Sequence, residues 1–264
     1  MFKAVKQRLD VWCYSVYLSV KSQFQYKAAF FIKCIVMFVT FLLEYVTTWF
    51  LISKFSGIGD WQPDDIKLTY GLATLAYALS RLFFNGFNNV SRQIKSGEFY
   101  LNMTKPFGEK FCLMSKGMPM ERMGQVILGL GITIHAVTVI GTKIQPVILI
   151  VSIINGTLIY GGLFILSAAF AFWIVESREI TGIMTHGTLR AIVYPISIYN
   201  RALQELFTFI IPVAFVSYYP ASCMLDKPVN GAIQSVTPVI GIAVLLLSVF
   251  VWNRGVKKYE GSGG

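Results

Sequence analysis

Apolar runs of about 20 residues constrain this chain more than any other feature of its sequence. A helix of that length crosses the hydrocarbon core of a bilayer without exposing polar backbone groups. The composition agrees, because charged residues make up 14% of the chain and about 25% of a soluble domain. We therefore predict an all-α integral membrane protein. The five clear runs cover residues 29–52, 66–87, 119–140, 146–175 and 232–252.

Lysine and arginine side chains cluster in three places in this chain, whose net charge is +10. They lie before the first apolar run, in the loop at 88–117, and after the last run. Cytoplasmic loops of membrane proteins carry such an excess of basic residues. The pattern places both termini and this loop in the cytoplasm, and it favours contact with anionic membrane lipid over nucleic acid.

Residues 176–226 hold two weaker apolar stretches, 182–200 and 202–219, which charged residues and proline interrupt. If both crossed the membrane, the basic C-terminus would lie outside, which the charge pattern disfavours. We predict six transmembrane helices, with residues 180–196 as the fifth and 197–225 as a re-entrant hairpin on the outer face. Exchanging the roles of the two stretches also leaves six spans and both termini inside.

Residues 1–28 predict an amphipathic helix, because apolar side chains recur at steps of three and four with basic residues on other faces. A helix with aromatic residues on its apolar face lies in the membrane interface. A helix packed on soluble protein is the alternative. The predicted organisation is an interfacial helix at 1–28, one transmembrane domain at 29–252, and a cytoplasmic tail at 253–264.

Motifs for nucleotide, metal or redox chemistry are missing from the sequence, which has no Gly-x-x-x-x-Gly-Lys-Ser/Thr, His-Glu-x-x-His or Cys-x-x-Cys. His135 and His186 stand far apart in apolar stretches. They are interpreted as packing residues, with a proton relay as the alternative. We expect that the chain is not an enzyme and binds no metal or cofactor itself.

Ionisable side chains within the apolar runs mark candidate functional positions, because placing them in lipid is costly. Glu44 in the first run and Arg81 in the second could meet and, with Asn85, line a substrate path. A structural ion pair that sets helix register is an equal alternative.

The predicted hairpin carries a second charged pair. Arg201 and Glu205 are four residues apart and would face one another on a helix. With Pro212 they could close the outer mouth of a cavity. An exposed pair of little energetic effect is the alternative.

The loop after the second run is punctuated by glycine and proline. It opens with a short helix carrying Ile94, breaks at Gly97, continues through Leu101 and Met103, and stops at Pro106. A short helix that presents apolar and basic residues to the cytosol is suited to contact with a separate motor protein. A solvated charged loop is the alternative.

Three stretches of the chain resemble ABC-2-type permeases. Residues 94–106, with Ser96-Gly97-Glu98 and then Lys105-Pro106, are similar to the coupling helix of that family, with departures at 99–100 and 102–104. Residues 194–220 resemble its re-entrant outer hairpin. The ending Trp252-Asn253-Arg254-Gly255-Val256-Lys257-Lys258-Tyr259 is similar to the family's Trp-x-Arg-Gly-x-basic-basic-Tyr.

The resemblance covers essentially the whole chain and extends to a branch in which one ATPase works with two different permeases. It implies six transmembrane helices of the ABC-2, or type V exporter, kind and a cytoplasmic coupling helix at 91–105. It also implies two copies of a cytoplasmic ABC ATPase, which bind ATP and Mg. The second permease would be a paralogue or another copy of this chain, in the bacterial cytoplasmic membrane.

These expectations combine into one functional hypothesis, a permease subunit of an ATP-driven exporter of an amphiphilic drug, peptide or lipid-like molecule. ATPase closure would push on residues 91–105 and tilt spans one, two and five against the partner permease. An ion-coupled secondary transporter, which usually shows internal repeats, and a membrane-embedded transferase are the rivals. The expected coupling residues are Arg92, Ile94, Lys95, Gly97, Glu98 and Leu101.

Overall fold

The computed structural model describes residues 2–54, 59–115, 118–141, 146–174 and 178–259. These residues form helices joined by turns and contain no strand, and the predicted all-helical membrane protein is confirmed to that extent. The helices are α1 (Phe2–Phe24), α2 (Lys27–Lys54), α3 (Pro63–Phe84), α4 (Val90–Lys95), α5 (Tyr100–Met103), α6 (Glu109–Ser115), α7 (Met123–Ile140), α8 (Pro146–Ala169), α9 (Arg178–Gly182), α10 (Thr188–Ile192), α11 (Arg201–Glu205), α12 (Tyr218–Met224), α13 (Gly231–Val236) and α14 (Ile240–Val256).

Helix α3 is the centre of the bundle, since almost every side chain from Leu68 to Leu82 is buried. It packs chiefly between α7 and α8, and α14 runs along the other side of α8. Close approach of α3 and α7 depends on small residues. A Cβ at Gly129 would lie 3.0 Å from the backbone nitrogen of Leu75, so a larger side chain there would force the helices apart.

Three of the described helices are long and apolar enough to cross a membrane, α2, α7 with its preceding turn, and α8 with its following turn. Helix α3 does not qualify by composition because it carries Asp64, Asp65, Lys67 and Arg81. Protein rather than lipid covers it, so its side chains need not suit lipid. Helix α14 is shorter, at 17 residues, and continues from α13 through a turn. The count of six spans stays a prediction.

The segment from α9 to α12 is irregular. A π-helical turn at Ile183–Gly187 joins α9 to α10, and a second one at Leu206–Ile210 extends α11. After Ile211 the chain turns by 76° into the helical segment Val213–Met224, which makes a broken span or a re-entrant loop. Pro212 causes the bend, because it has no backbone N–H and restricts the residue before it.

Helix α1 packs against the residues that directly precede α7, beyond the end of α3. The side-chain amide of Gln23 donates to the carbonyl oxygen of Met118 at 2.7 Å and accepts from the backbone nitrogen of Met120 at 2.9 Å. The ring of Trp12 stacks on Phe83, with centroids 6.4 Å apart. The predicted N-terminal helix therefore packs on the same end of the bundle as the 88–115 loop.

Candidate functional site

Residues 91–105, called the coupling segment below, fold as two short helices separated by a tight turn. Helix α4 ends where the backbone nitrogen of Ser96 donates to Arg92 and that of Gly97 donates to Ile94. Gly97 has a φ of 73°, a left-handed conformation that glycine adopts without steric cost. The break that the sequence placed at Gly97 is therefore present, and α5 follows it.

The inner side of the coupling segment is closed by a buried amide pair. The side-chain nitrogen of Asn102 donates to the side-chain oxygen of Gln93 at 2.7 Å, and the backbone nitrogen of Phe99 donates to the carbonyl oxygen of Gln93 at 3.0 Å. These bonds tie α5 back onto α4. The two short helices are thereby held as one unit by hydrogen bonds within the segment.

A cluster of five aromatic rings, called the aromatic anchor below, fixes this unit to the bundle. Phe99 is fully buried, and its ring centroid lies 5.3 Å from Phe172, 6.0 Å from Trp252 and 5.2 Å from Tyr259. Phe87 adds an edge contact to Trp252 at 5.2 Å. Edge-to-face pairs of this kind add to the energy of burial. The anchor joins the coupling segment to the ends of α8 and α14.

A polar contact reinforces the anchor on its edge. The indole nitrogen of Trp252 donates to Glu109 at 3.1 Å, and Lys110 donates to Glu109 at 2.9 Å and to Asn253 at 2.7 Å. Burial acts to raise the pKa of the Glu109 carboxyl. Three hydrogen bonds, from Lys110, from the Glu109 backbone and from Trp252, lower it, as does the charge of Lys110. Together they hold that pKa below its ordinary value. The carboxylate therefore stays charged and links α6 to α14.

The outer side of the coupling segment carries an apolar patch. Tyr100 and Leu101 are 59% and 61% exposed, and Met103 is exposed beside them. Of the predicted contact residues, Arg92, Lys95, Glu98 and Leu101 face outward, while Ile94 is half-buried against the core. Sequence reasoning missed Tyr100 and Met103, although the departures from the family pattern at 99–100 and 102–104 pointed to them.

A cavity of about 440 Å³ opens between α2, α3 and α10. Its size suits a small organic molecule. Hydroxyl groups and apolar side chains alternate around an ion pair between Glu44 and Arg190, whose atoms are 3.2 Å apart. The lining residues are Phe41, Leu43, Glu44, Thr47, Thr48, Tyr70, Thr74, Leu189, Arg190, Val193 and Tyr194.

The structure does not form the expected pair between Glu44 and Arg81. The neighbours of Glu44 on α2 contact Tyr70 on α3. The carbonyl oxygen of Phe41 accepts from the hydroxyl of Tyr70, and the ring of Tyr45 packs against the ring of Tyr70. Arg81 lies eleven residues further along α3, about 16 Å away at 1.5 Å per residue. Arg190 on α10 takes the place of Arg81 because it faces α2 at the level of Glu44.

Arg81 and Asn85 are placed away from the cavity. Arg81 is buried with its guanidinium over the ring of Phe164, 5.4 Å from the centroid. Asn85 is half-buried and begins the 3-10 turn Asn85–Asn89 that leads to the coupling segment. Neither residue lines the cavity that holds Glu44.

The charged pair of the predicted outer hairpin is formed. Arg201 donates to Glu205 at 2.9 Å across one turn of α11, and both side chains are largely exposed. Pro212 stands at the 76° bend that follows. Within the described residues, no group of three His, Cys, Asp or Glu side chains is placed to hold a metal ion.

Asn155 on α8 is a polar residue that sequence reasoning missed. Its side-chain nitrogen donates to the carbonyl oxygen of Phe215 at 3.2 Å, and its oxygen accepts from the backbone nitrogen of Gly241 at 2.7 Å. The available signal was an amide side chain within a long apolar run. Asn155 connects α8 to the bent segment and to the beginning of α14.

In a comparison with protein families, residues 34–263 match a family described as ABC-2 family transporter protein. No curated protein and no solved structure matches the chain significantly. The matched range includes the cavity, the coupling segment and the aromatic anchor, whereas α1 lies outside it.

Proposed function

Because this chain belongs to the ABC-2 family of transporter proteins, we propose that it is the permease subunit of an ATP-driven exporter and that its coupling segment receives the motion of a separate ABC ATPase. One observation carries the proposal. The coupling segment is apolar on its exposed side, at Tyr100, Leu101 and Met103, while its other side is fixed to the bundle by Phe99. Exposed aromatic and aliphatic residues with charged neighbours are typical of protein interfaces.

The aromatic anchor supplies the route by which movement of the coupling segment reaches the membrane helices. A push on α4 and α5 is transmitted as one unit, since Gln93 and Asn102 hold these helices together. Phe99 then passes the force to Trp252 at the end of α14 and to Phe172 after α8. The 3-10 turn after α3 passes it to the central helix.

The cavity between α2, α3 and α10 is the proposed substrate path. Its mixture of apolar, hydroxyl and charged groups suits an amphiphilic molecule such as a drug, a peptide or a lipid-like compound. Tilting of α2 against α10 would separate Glu44 from Arg190 and widen the path. Arg201, Glu205 and Pro212 would form the outer gate on a re-entrant hairpin.

The assembly proposed for this function contains two copies of the ATPase, each with ATP and Mg, and a second permease. Helix α2 has an exposed apolar face that lipid or a second permease would cover, since only Phe41, Thr48 and Ile52 on it are buried. The partner would be a paralogue or another copy of this chain. We place the complex in the bacterial cytoplasmic membrane, with six spans and both termini inside.

Replacing Leu101 with glutamate is expected to abolish ATPase docking. A buried leucine contributes about 1.5–3 kcal/mol, so its loss alone weakens binding about 10- to 100-fold, and the added charge weakens it further. The chain would be expressed with its genomic neighbours and purified, and co-elution of an ATP-hydrolysing subunit measured.

The matched control is Leu101→Met, which keeps the apolar volume and should keep the partner. Normal co-elution with Leu101→Glu would remove the coupling segment from the interface. If no ATP-hydrolysing subunit co-elutes even with the unaltered chain, the proposed permease function itself is rejected in favour of an ion-coupled transporter.

Replacing either Glu44 or Arg190 with glutamine is expected to lower transport about 10-fold, which corresponds to about 1.4 kcal/mol of barrier. Both side chains are partly exposed, 78% for Arg190 and 37% for Glu44, so breaking the pair itself should cost little. The expected loss comes from removing a charged group that would contact the substrate in the proposed path. Transport would be measured as ATP-dependent uptake of fluorescent amphiphilic dyes into inverted vesicles. Lys67→Gln, which breaks the ion pair of Lys67 with Asp64 outside the cavity, is the control.

A double variant separates the two interpretations of this pair. Glu44→Arg combined with Arg190→Glu restores an ion pair with the charges exchanged. Full recovery of uptake would mean that the pair only sets helix register. A persistent loss, with normal ATPase assembly, is the result expected if the two side chains contact the substrate.

A further inference from the structure

Two arginines lie buried at the end of the bundle that carries the coupling segment. Arg81 is near the end of α3 and is 9% exposed, and Arg122 lies just before α7 and is 7% exposed. The side chain of Arg122 donates to the oxygen of Gln125, itself fully buried, at 3.3 Å. Arg81 and Arg122 are close enough to interact electrostatically. We call Arg81, Arg122 and Gln125 the buried arginine cluster.

Hydrogen-bond donors of the buried arginine cluster lack partners. The Nε atoms of Arg81 and Arg122 and the side-chain nitrogen of Gln125 are buried and find no acceptor anywhere in the described parts of the chain. All three are donors, and they come from α3, the turn before α7, and α7 itself. Such a set matches the needs of an oxyanion, which accepts several hydrogen bonds at once.

Charge balance leads to the same conclusion. Two buried guanidinium groups repel each other, and burial of an unpaired charge is strongly unfavourable. Glu121 is near enough to interact with Arg81, but it is partly exposed and forms no ion pair with either arginine among the described residues. His186, whose ring packs on Tyr77 at 5.2 Å, adds no negative charge. Ordered water could satisfy the donors but would leave the charge unbalanced.

We infer that the buried arginine cluster is a binding site for an oxyanion, a phosphate or carboxylate group presented at the level of the lipid headgroups. Arg81 is three residues from the end of α3, about 4.5 Å along its axis. Arginine binds such groups through its planar pair of donors. The site is distinct from the cavity of Glu44 and Arg190, and the inference does not depend on ATPase docking.

The test is the melting temperature of the purified full-length chain, with any partners it retains, after delipidation in neutral detergent. Three probes are compared: dioleoylphosphatidylglycerol, dioleoylglycerol, which has the same acyl chains without phosphate, and inorganic phosphate. We expect the phosphate-bearing lipid to raise the melting temperature by about 5 °C at saturating concentration. Arg81→Gln and Arg122→Gln should each remove most of this shift, whereas Arg254→Gln, an exposed arginine at the same end of the bundle, should keep it.

The probes also separate the two sources of the anion. A shift with phosphatidylglycerol alone assigns the site to a lipid headgroup, and a shift with inorganic phosphate as well assigns it to a free anion. An equal shift with dioleoylglycerol, or no shift with any probe, overturns the proposal.

A second measurement, stability without phosphate or lipid, distinguishes anion binding from a purely structural role of Arg81. Without phosphate or lipid, Arg81→Gln should be at least as stable as the unaltered chain, because it removes a buried unpaired charge. If Arg81→Gln does not fold, Arg81→Lys, which keeps the charge but loses the planar pair of donors, is used in its place and should respond less. A variant that is equally destabilised under every condition would show that the arginine only packs on Phe164, and the proposal would be rejected.

Discussion

Replacing Phe99 with alanine is expected to lower the free energy of unfolding by about 3–5 kcal/mol, the range for a buried phenylalanine. The ring is fully buried and touches Phe172, Trp252 and Tyr259, so its removal leaves a cavity in the middle of the aromatic anchor. The anchor is also what holds the coupling segment to the bundle. We therefore expect trypsin to cleave more readily at Arg92 and Lys95 in the variant.

The measurements are the unfolding midpoint in detergent and the rate of cleavage in the coupling segment. Tyr100→Ala is the matched control, because the neighbouring ring is exposed and its loss should leave both quantities nearly unchanged. Tyr100→Ala should nevertheless weaken ATPase docking. Equal stability of the two variants would mean that Phe99 does not anchor the coupling segment.

Replacing Asn155 with leucine is expected to destabilise the chain by about 2–4 kcal/mol, because it leaves a buried donor and a buried acceptor without partners. The donor is the backbone nitrogen of Gly241, near the beginning of α14, where helical N–H groups have no partner within the helix. The acceptor is the carbonyl oxygen of Phe215 in the bent segment. Leucine has nearly the same size, so the loss would be due to hydrogen bonding.

Ser152→Ala provides the comparison for Asn155→Leu. Ser152 is also buried on α8, one turn earlier, but its hydroxyl donates only to the carbonyl oxygen of Ile148 in the same helix. Its replacement should cost well under 1 kcal/mol, since the acceptor already has a helical partner. The midpoint of thermal unfolding in detergent separates the two outcomes. Similar midpoints would mean that Asn155 does not connect α8 to α14.

The coupling segment shows which structural features could be predicted from the sequence. Glycine at 97 and proline at 106 bounded its two short helices, and the structure has the break at Gly97 with a positive φ. The sequence could not separate the side chains that face outward from those that face the bundle. Ile94 was expected at the interface and is half-buried, whereas Phe99, noted only as a departure from the family pattern, is the residue that attaches the segment.

The charged residues within the apolar runs show more clearly what sequence reasoning cannot predict. Glu44 and Arg81 were both recognised as costly within apolar runs, but the axial positions of α2 and α3 place them about 16 Å apart. The partner of Glu44 came from α10, 146 residues away in the chain. A helical pattern reports which residues share a face of one helix, and it does not report which other helix lies against that face.

The sequence by itself determined the class of protein, the distribution of basic residues along the chain and the break at Gly97. These features depend on composition and on local backbone preferences, which neighbouring residues decide. Tertiary structure alone decided that Glu44 meets Arg190, that the buried Arg81 and Arg122 lie within electrostatic reach of each other, and that Phe99 reaches Trp252. Such contacts depend on the order and relative height of packed helices, which no local pattern contains.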